Sequence, residues 1–272
     1  MIPNRSHCIR IESTSFAQLR ELCIFKLYKT RRNSKSFLSL FCHWPSLEEY
    51  TIKATGHLAV ASALLSLAVF TAASEEKPAI NAQQALQKLQ EGNARFVQEK
   101  AIHPHQSAER RAEVVSGQNP FAVILGCSDS RVPPEITFDQ GIGDLFVVRT
   151  AGQVVDEVAL GSIEYAVEHL GVPLVVVLGH DMCGAVKATI AGGEASGHIG
   201  SLVAAINPAV ERARKKGKEE QLLNNSIDEN VRMIALELRS SEPLLSKLVK
   251  EGKLEIVGAR YRLDSGRVEI FQ

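Results

Sequence analysis

Two short apolar runs stand out along the chain: Phe-Ala-Val-Ile-Leu at 121–125 and Leu-Val-Val-Val-Leu at 174–178. Both are uncharged and rich in Val, Ile and Leu, the pattern of strands buried on both faces of a parallel sheet. Further strand patterns fall at 145–150, 254–261 and 267–271. Between the strands the apolar period becomes helical. Helices are predicted over 81–100, with Asn81 as N-cap, and over 107–116. A short one opens at Pro133-Pro134, where a missing N–H costs nothing. Others follow over 156–169, 184–190, 198–216, 226–238 and 242–251. Asp264-Ser-Gly266 is a hairpin-type turn, which makes the last strand antiparallel to its predecessor. The alternation predicts an α/β fold: a mostly parallel central sheet with an antiparallel C-terminal edge strand, flanked by helices.

The N-terminal quarter reads differently. Residues 1–57 keep no sustained period and contain the basic tract Lys29-Thr-Arg-Arg-Asn-Ser-Lys35. Residues 58–73 then run sixteen positions without a charge. That is short for a spanning helix, which needs about 20 apolar residues. A basic flank, an apolar run and then small residues suit a signal-peptide core, with Thr71-x-Ala73 as cleavage site and Ser74 as mature start. A signal peptide begins near the N-terminus, however. The expectation is therefore that translation starts within 45–57 at a non-Met codon and that upstream residues are a start-site artefact. A signal anchor or a buried helix is the other reading. Residues 74–272 form the main domain.

Composition sharpens this division. The 272-residue chain is 45% apolar, enough for a sizeable core. Its net charge is zero, but residues 1–57 hold nine Lys/Arg against four Asp/Glu, so the remainder is net −5. A mildly acidic main domain gives no support for nucleic-acid binding. Three of five cysteines (Cys8, Cys23, Cys42) lie in the leader, and only Cys127 and Cys183 remain in the main domain. No structural disulfide is implied.

Candidate chemistry sits where the two apolar runs end. The first leads through Gly126 into Cys127-Ser-Asp129-Ser-Arg131, the second through Gly179 into His180-Asp-Met-Cys183. In open α/β sheets the carboxyl edge of the strands is where ligands bind. Thiolate and imidazole suit zinc, which takes four ligands in a tetrahedron. Asp129 is either the fourth ligand or leaves that position to water, and Arg131 can hold its carboxylate by a bidentate pair. A lone buried Cys is usually a small hydrophobe, and a lone His a satisfied polar residue. Two Cys and one His converging on one sheet edge, without a Cys-x-x-Cys, favour a metal over a redox pair.

Cys-x-Asp-x-Arg followed by His-x-x-Cys-Gly resembles the zinc-site signature of the β-class carbonic anhydrases, in their bacterial, plant-like branch. The similarity extends through Asp144-Leu-Phe-Val-Val-Arg-Thr-Ala-Gly152, Gly161-Ser-Ile-Glu-Tyr165 and Gly179-His-Asp-Met-Cys-Gly184, and covers roughly Ala82 to the C-terminus. It implies reversible hydration of CO2 to bicarbonate and a proton by a zinc-bound hydroxide, with Zn2+ held by Cys127, His180 and Cys183. It also implies that Asp129 alternates between pairing with Arg131 and closing onto the metal, the closed form at lower pH. Gln118 occupies the position of an amide donor to bound CO2 or bicarbonate. Phe146 and Tyr165 match an aromatic pair that reaches the partner subunit's site, so a homodimer or homotetramer is implied. Gly184 opens a helix whose N-terminal N–H groups favour an anion there. Where the branch with an inhibitory bicarbonate pocket has a Trp, this chain has Ile124. Two other functions stay open: hydrolysis of carbonyl sulfide or carbon disulfide on the same fold, and a non-enzymatic zinc-binding protein. The signal-like segment places the product in the periplasm or outside the cell, with no stable membrane partner once cleaved; the cytoplasm is the alternative.

Overall fold

The structure is a computed structural model and describes residues 80–271. The leader and the apolar segment 58–73 lie outside the described residues. Among those described, no helix is long and apolar enough to cross a membrane. The strands are β1 (Ala122–Cys127), β2 (Leu145–Thr150), β3 (Leu174–His180), β4 (Glu255–Tyr261) and β5 (Val268–Ile270). They form one sheet in the order β2-β1-β3-β4-β5, parallel except for the antiparallel β4–β5 pair. The expected mixed sheet is therefore present. Chain order reverses at β1, with β2 on one side and β3 on the other, and the crevice beyond their carboxyl ends is a topological switch point.

Eight helices flank the sheet among the described residues: α1 (Ala82–Val97), α2 (Ala108–Glu113), α3 (Pro134–Thr137), α4 (Glu157–His169), α5 (Gly184–Ala191), α6 (Ile199–Lys216), α7 (Leu222–Ser240) and α8 (Leu245–Lys250). Side-chain alternation along β1 separates two cores. Val123 and Leu125 pack with Ile163 of α4, Val231 and Leu238 of α7 and Leu245 of α8. Ala122 and Ile124 pack with Ala85 and Leu89 of α1 and with Phe138. The apolar stripe of α1 thus packs on its own sheet. Asn93 secures it there, its amide donating to the Gly266 carbonyl at 2.8 Å and its oxygen accepting the Val268 N–H at 2.9 Å.

Two of the boundaries that differ from the sequence expectation have a clear physical reason. Helix α1 has the expected Asn81 cap, completed by a capping box with Gln84. It stops at Val97 rather than Lys100 because Glu99 turns left-handed (φ 56°) and the Lys100 N–H bonds back to the Arg95 carbonyl, a Schellman closure. Helix α7 begins at Leu222, not Ser226. The Asn-Asn-Ser tract at 224–226 continues no apolar stripe, yet Leu222, Ser226 and Asn230 recur every four residues on one buried face. Strands β1 and β3 do end at Cys127 and His180, so both polar residues stand at the carboxyl edge as expected. Helix α7 also approaches the sheet closely. A Cβ on Gly179 would lie 2.4 Å from Val231, and one on Gly258 would lie 2.8 Å from it, so Val231 sits in a notch between the two strands.

Candidate metal centre

Adjacent strands bring the predicted donors together. Cys127 ends β1, His180 ends β3, and Cys183 is the N-cap of α5, three residues after His180. Their ligating atoms all lie within 4.8 Å of one another, and all three residues are buried. An apolar shell of Val154, Val186, Ile206, Val210 and Ile227 surrounds them.

The imidazole is set for metal binding. His180 Nδ1 lies 2.8 Å from the carbonyl of Asp181. A carbonyl only accepts, so Nδ1 carries the proton and Nε2 presents a bare lone pair. That Nε2 is buried without a hydrogen-bond partner. Buried polar atoms normally find a partner, so an orphan lone pair facing two sulfurs forms a group that could hold a cation. Hydrogen bonding of the second ring nitrogen to a carbonyl is the usual support of a metal-ligating histidine.

The sulfurs tell the same story. The neighbouring Cys183 thiol holds the Cys127 thiol well below its ordinary range; burial opposes this, and the N–H groups of Gly152 and Asp129 reinforce it. The Gly152 N–H lies 3.2 Å from Cys127 Sγ. Cys183 is pushed up, first by donating to Cys127 and then by burial, against the Val186 and Ala185 N–H groups in the first turn of α5. Metal binding deprotonates both thiols, and a dication offsets the second negative charge. Two thiols, one oriented imidazole and a dry shell fit zinc.

Asp129 stands beside the donors but belongs to Arg131. Arg131 Nε and Nη2 reach the two carboxylate oxygens at 2.9 and 2.7 Å, and the Arg131 N–H adds a third bond at 3.0 Å. This pairing, against some desolvation, holds the Asp129 carboxyl well below the usual carboxylate range. Asp129 Oδ2 is 3.9 Å from His180 Nε2.

The remaining predicted residues lie elsewhere in the chain. Gln118 is exposed ahead of β1, while Cys127 closes that six-residue strand. At about 3.3 Å per residue, a strand of that length spans roughly 20 Å. Phe146 is level with Val123, at the amino-terminal half of β1. Its ring packs at 6.4 Å from that of Tyr165 on α4, which is 47% exposed. Within one chain, then, the Gln and the aromatic pair do not join the donors. Gly184 does, immediately after Cys183, and a Cβ there would meet nothing within 4 Å.

Several supporting residues had no role in the sequence reading. Arg149 donates to the carbonyls of Cys127 and Asp129, at 2.9 and 2.6 Å, and holds the strand end against the next turn. A charge inside the β2 pattern was the available signal. Asn230 donates to the Gly152 carbonyl at 2.9 Å, fixing the peptide that follows β2. Nothing local marks that contact.

Comparison with known proteins agrees with this geometry. The carbonic anhydrase family model matches residues 122–268, from the start of β1 to the start of β5. The chain is 46% identical to the carbonic anhydrase of Mycolicibacterium smegmatis over 199 residues, which are 71% of this chain and 95% of that one. It is 47% identical to carbonic anhydrase 2 of Mycobacterium tuberculosis over 196 residues, 70% of this chain and 93% of that protein. Among solved structures it resembles a tetrameric β-carbonic anhydrase of Sordaria macrospora, with a TM-score of 0.56 at 26% identity over 66% of this chain and 93% of that one. The Coccomyxa β-carbonic anhydrase in complex with acetazolamide matches with the same TM-score and identity, over 68% of this chain and 86% of that one. Sheet order, converging Cys-His-Cys donors and relatives matched over nearly their whole length lead to one assignment: the chain belongs to the β-class carbonic anhydrase family.

Proposed function

We propose that the protein catalyses the reversible hydration of CO2 to bicarbonate and a proton, with zinc held by Cys127, His180 and Cys183. The observation that carries this is the buried, partnerless Nε2 of His180 facing two thiols in a chain of this family. Zinc supplies Lewis acidity, lowering the pKa of water at the site. Three strong protein donors are the usual complement of a catalytic zinc site, whereas structural sites close four.

The protein's own groups then have distinct tasks. Asp129, held by Arg131, keeps a charged oxygen facing the donors and can accept a hydrogen bond from the attacking water, orienting its lone pair. The same carboxylate, released from Arg131, is the proposed fourth donor of a closed form. The Gly152 N–H and the first turn of α5 stabilise thiolate charge at Cys127 and Cys183. The apolar shell excludes bulk water, which suits a small uncharged substrate. Gly184 leaves open space beside Cys183 through which that substrate can approach.

The unit of function in this proposal is a homodimer or homotetramer, in which Gln118, Phe146 and Tyr165 complete the partner's substrate pocket. Two facts support it: those residues stand apart from their own chain's donors, and the Sordaria relatives are tetrameric. We also propose export after cleavage near Thr71-x-Ala73, so N-terminal sequencing of the mature protein should find Ser74 or a near neighbour. A retained Met1 would end that proposal.

Stopped-flow CO2 hydration with and without chelator tests the central proposal. Chelator-sensitive hydration is expected. Zinc-dependent hydrolysis of carbonyl sulfide or carbon disulfide without CO2 hydration would reassign the substrate. Zinc binding with no turnover of any of the three would leave only a metal-binding protein.

A further inference from the structure

Arg260, near the end of β4, is 2% exposed, and every nitrogen of its guanidinium is engaged. Nε donates to Asp181 Oδ1 at 2.7 Å. Nη1 donates to Asp228 Oδ1 at 2.9 Å and to the Asn224 carbonyl at 3.3 Å, and Nη2 to Asn224 Oδ1 at 2.7 Å. Burying an arginine carries a large desolvation cost, so such a network needs a reason to sit there. Its position supplies one. Asp181 lies inside the loop between the donors His180 and Cys183, and the Asp181 carbonyl accepts the His180 Nδ1–H. The carboxylate of this residue is held by Arg260, by Arg262 at 3.3 Å and by the Leu263 N–H at 3.4 Å, while its own N–H bonds to the Tyr261 carbonyl at 3.0 Å.

We infer that Arg260 is a positioning residue for the metal centre, tying Asp181 to helix α7 so that the Asp181 carbonyl fixes the proton and the direction of the His180 imidazole. The chain of contacts runs from Asn224 and Asp228 on α7, through the planar fork of Arg260, to the Asp181 carboxylate and then to its carbonyl. An arginine is required because one fork must reach two elements at once; a lysine offers a single point charge. The hydrogen bonds of the Arg260 side chain go to Asp181, Asn224 and Asp228 and to none of the three donors, so its effect reaches the metal through Asp181. Outer partners of this kind govern metal affinity almost as strongly as the ligands they orient. The inference rests on the zinc reading given above.

The test compares full-length wild type, Arg260→Met, Arg260→Lys and a core control, Leu245→Ala. Zinc affinity is measured by competition with a chromophoric chelator, and donor geometry from the absorption spectrum of the cobalt-substituted protein. Each is read at a temperature where the variant is folded. Arg260→Met should weaken zinc binding about tenfold or more and alter the cobalt spectrum. Arg260→Lys should recover part of that loss, and Leu245→Ala should lower the melting temperature while leaving both readouts at wild type. Wild-type zinc affinity and spectrum in folded Arg260→Met would overturn the inference, as would an equal loss in Leu245→Ala. If Arg260→Met does not fold, Asp181→Asn decides, since it keeps the carbonyl but removes the charge that Arg260 grips. A tenfold loss there supports the inference, and unchanged affinity refutes it. Failure of the wild type itself to bind zinc would sink the zinc reading instead, a separate and distinguishable result.

Discussion

Asp129 and His180 face each other at the end of adjacent strands, with one carboxylate oxygen 3.9 Å from the bare Nε2 of the ring. What keeps that oxygen from moving closer is Arg131, which holds both carboxylate oxygens. Arg131→Ala is therefore expected to release Asp129 towards the donors and to lose most CO2 hydration. X-ray absorption of the zinc-loaded variant should show an added carboxylate oxygen. Wild-type turnover would count against the gripping role.

Removing the metal should cost stability as well as activity. The three donors converge only in the folded chain, so binding free energy adds to folding free energy. Dialysis against a strong chelator is expected to strip one zinc per chain, abolish hydration and lower the melting temperature, and zinc should restore both. A melting temperature indifferent to chelation would mean that the donors bind nothing.

Gly152 cannot be replaced without moving its neighbours. Its φ is +73°, and a Cβ would stand 2.7 Å from Ile206 Cδ1 and 3.1 Å from the Ala185 Cβ. Left-handed strain and overpacking together should make Gly152→Ala less stable by about 1–3 kcal/mol in urea denaturation. Shortening the obstacle, in Gly152→Ala with Ile206→Val, should recover part of the loss. Additive destabilisation in the double variant would show that the clash is not the cause.

Asp139 makes stability depend on pH. Burial alone would raise its pKa, but Arg95 at 2.6 Å and the N–H groups of Ile102 and His103 outweigh it and bring the carboxyl below its ordinary value. A group depressed on folding stabilises fully above its unfolded pKa, about 3.9, and that contribution fades as pH falls through the folded value. Denaturation midpoints measured from pH 6 down to pH 3 should fall more steeply for wild type than for Asp139→Asn. The variant should also be less stable at neutral pH, by about 1–3 kcal/mol. Parallel pH profiles would exclude Asp139 as the source.

Dilution should reveal whether one chain suffices. Helix α4 exposes Tyr165 and Val158, the latter 77% exposed, beside the edge strand β2. Exposed apolar groups of this kind mark an association surface when contiguous. Specific activity is expected to fall on dilution together with the sedimentation coefficient, and Tyr165→Arg should do the same at high concentration. A fully active monomer would show that Gln118, Phe146 and Tyr165 contribute nothing across subunits.

What the sequence determined by itself was the material that local chemistry encodes. Uncharged Val-rich runs specify buried strands, Asn81, Ser107 and Asp156 cap the helices that follow them, and Asp264-Ser-Gly266 turns the last strand back. The donors were legible because Cys127, His180 and Cys183 follow two such runs and so fall at one sheet edge; each alone would read as an ordinary buried residue. Each of these signals lies within a few residues of the structure it specifies. Only the tertiary structure decided how the donors are held. Arg260 meets Asp181 from 79 residues away, and Asn230 meets Gly152 from 78. The polar start of α7, whose Asn224 and Asp228 hold Arg260 and whose Asn230 holds Gly152, is expected as helix only from Ser226, because Asn and Ser residues disfavour helix wherever they are solvated. Burial against β3, in the notch left by Gly179, reverses that preference. The pairing of a buried charge with its partner is a property of the packed sheet edge, and no stretch of the chain contains it.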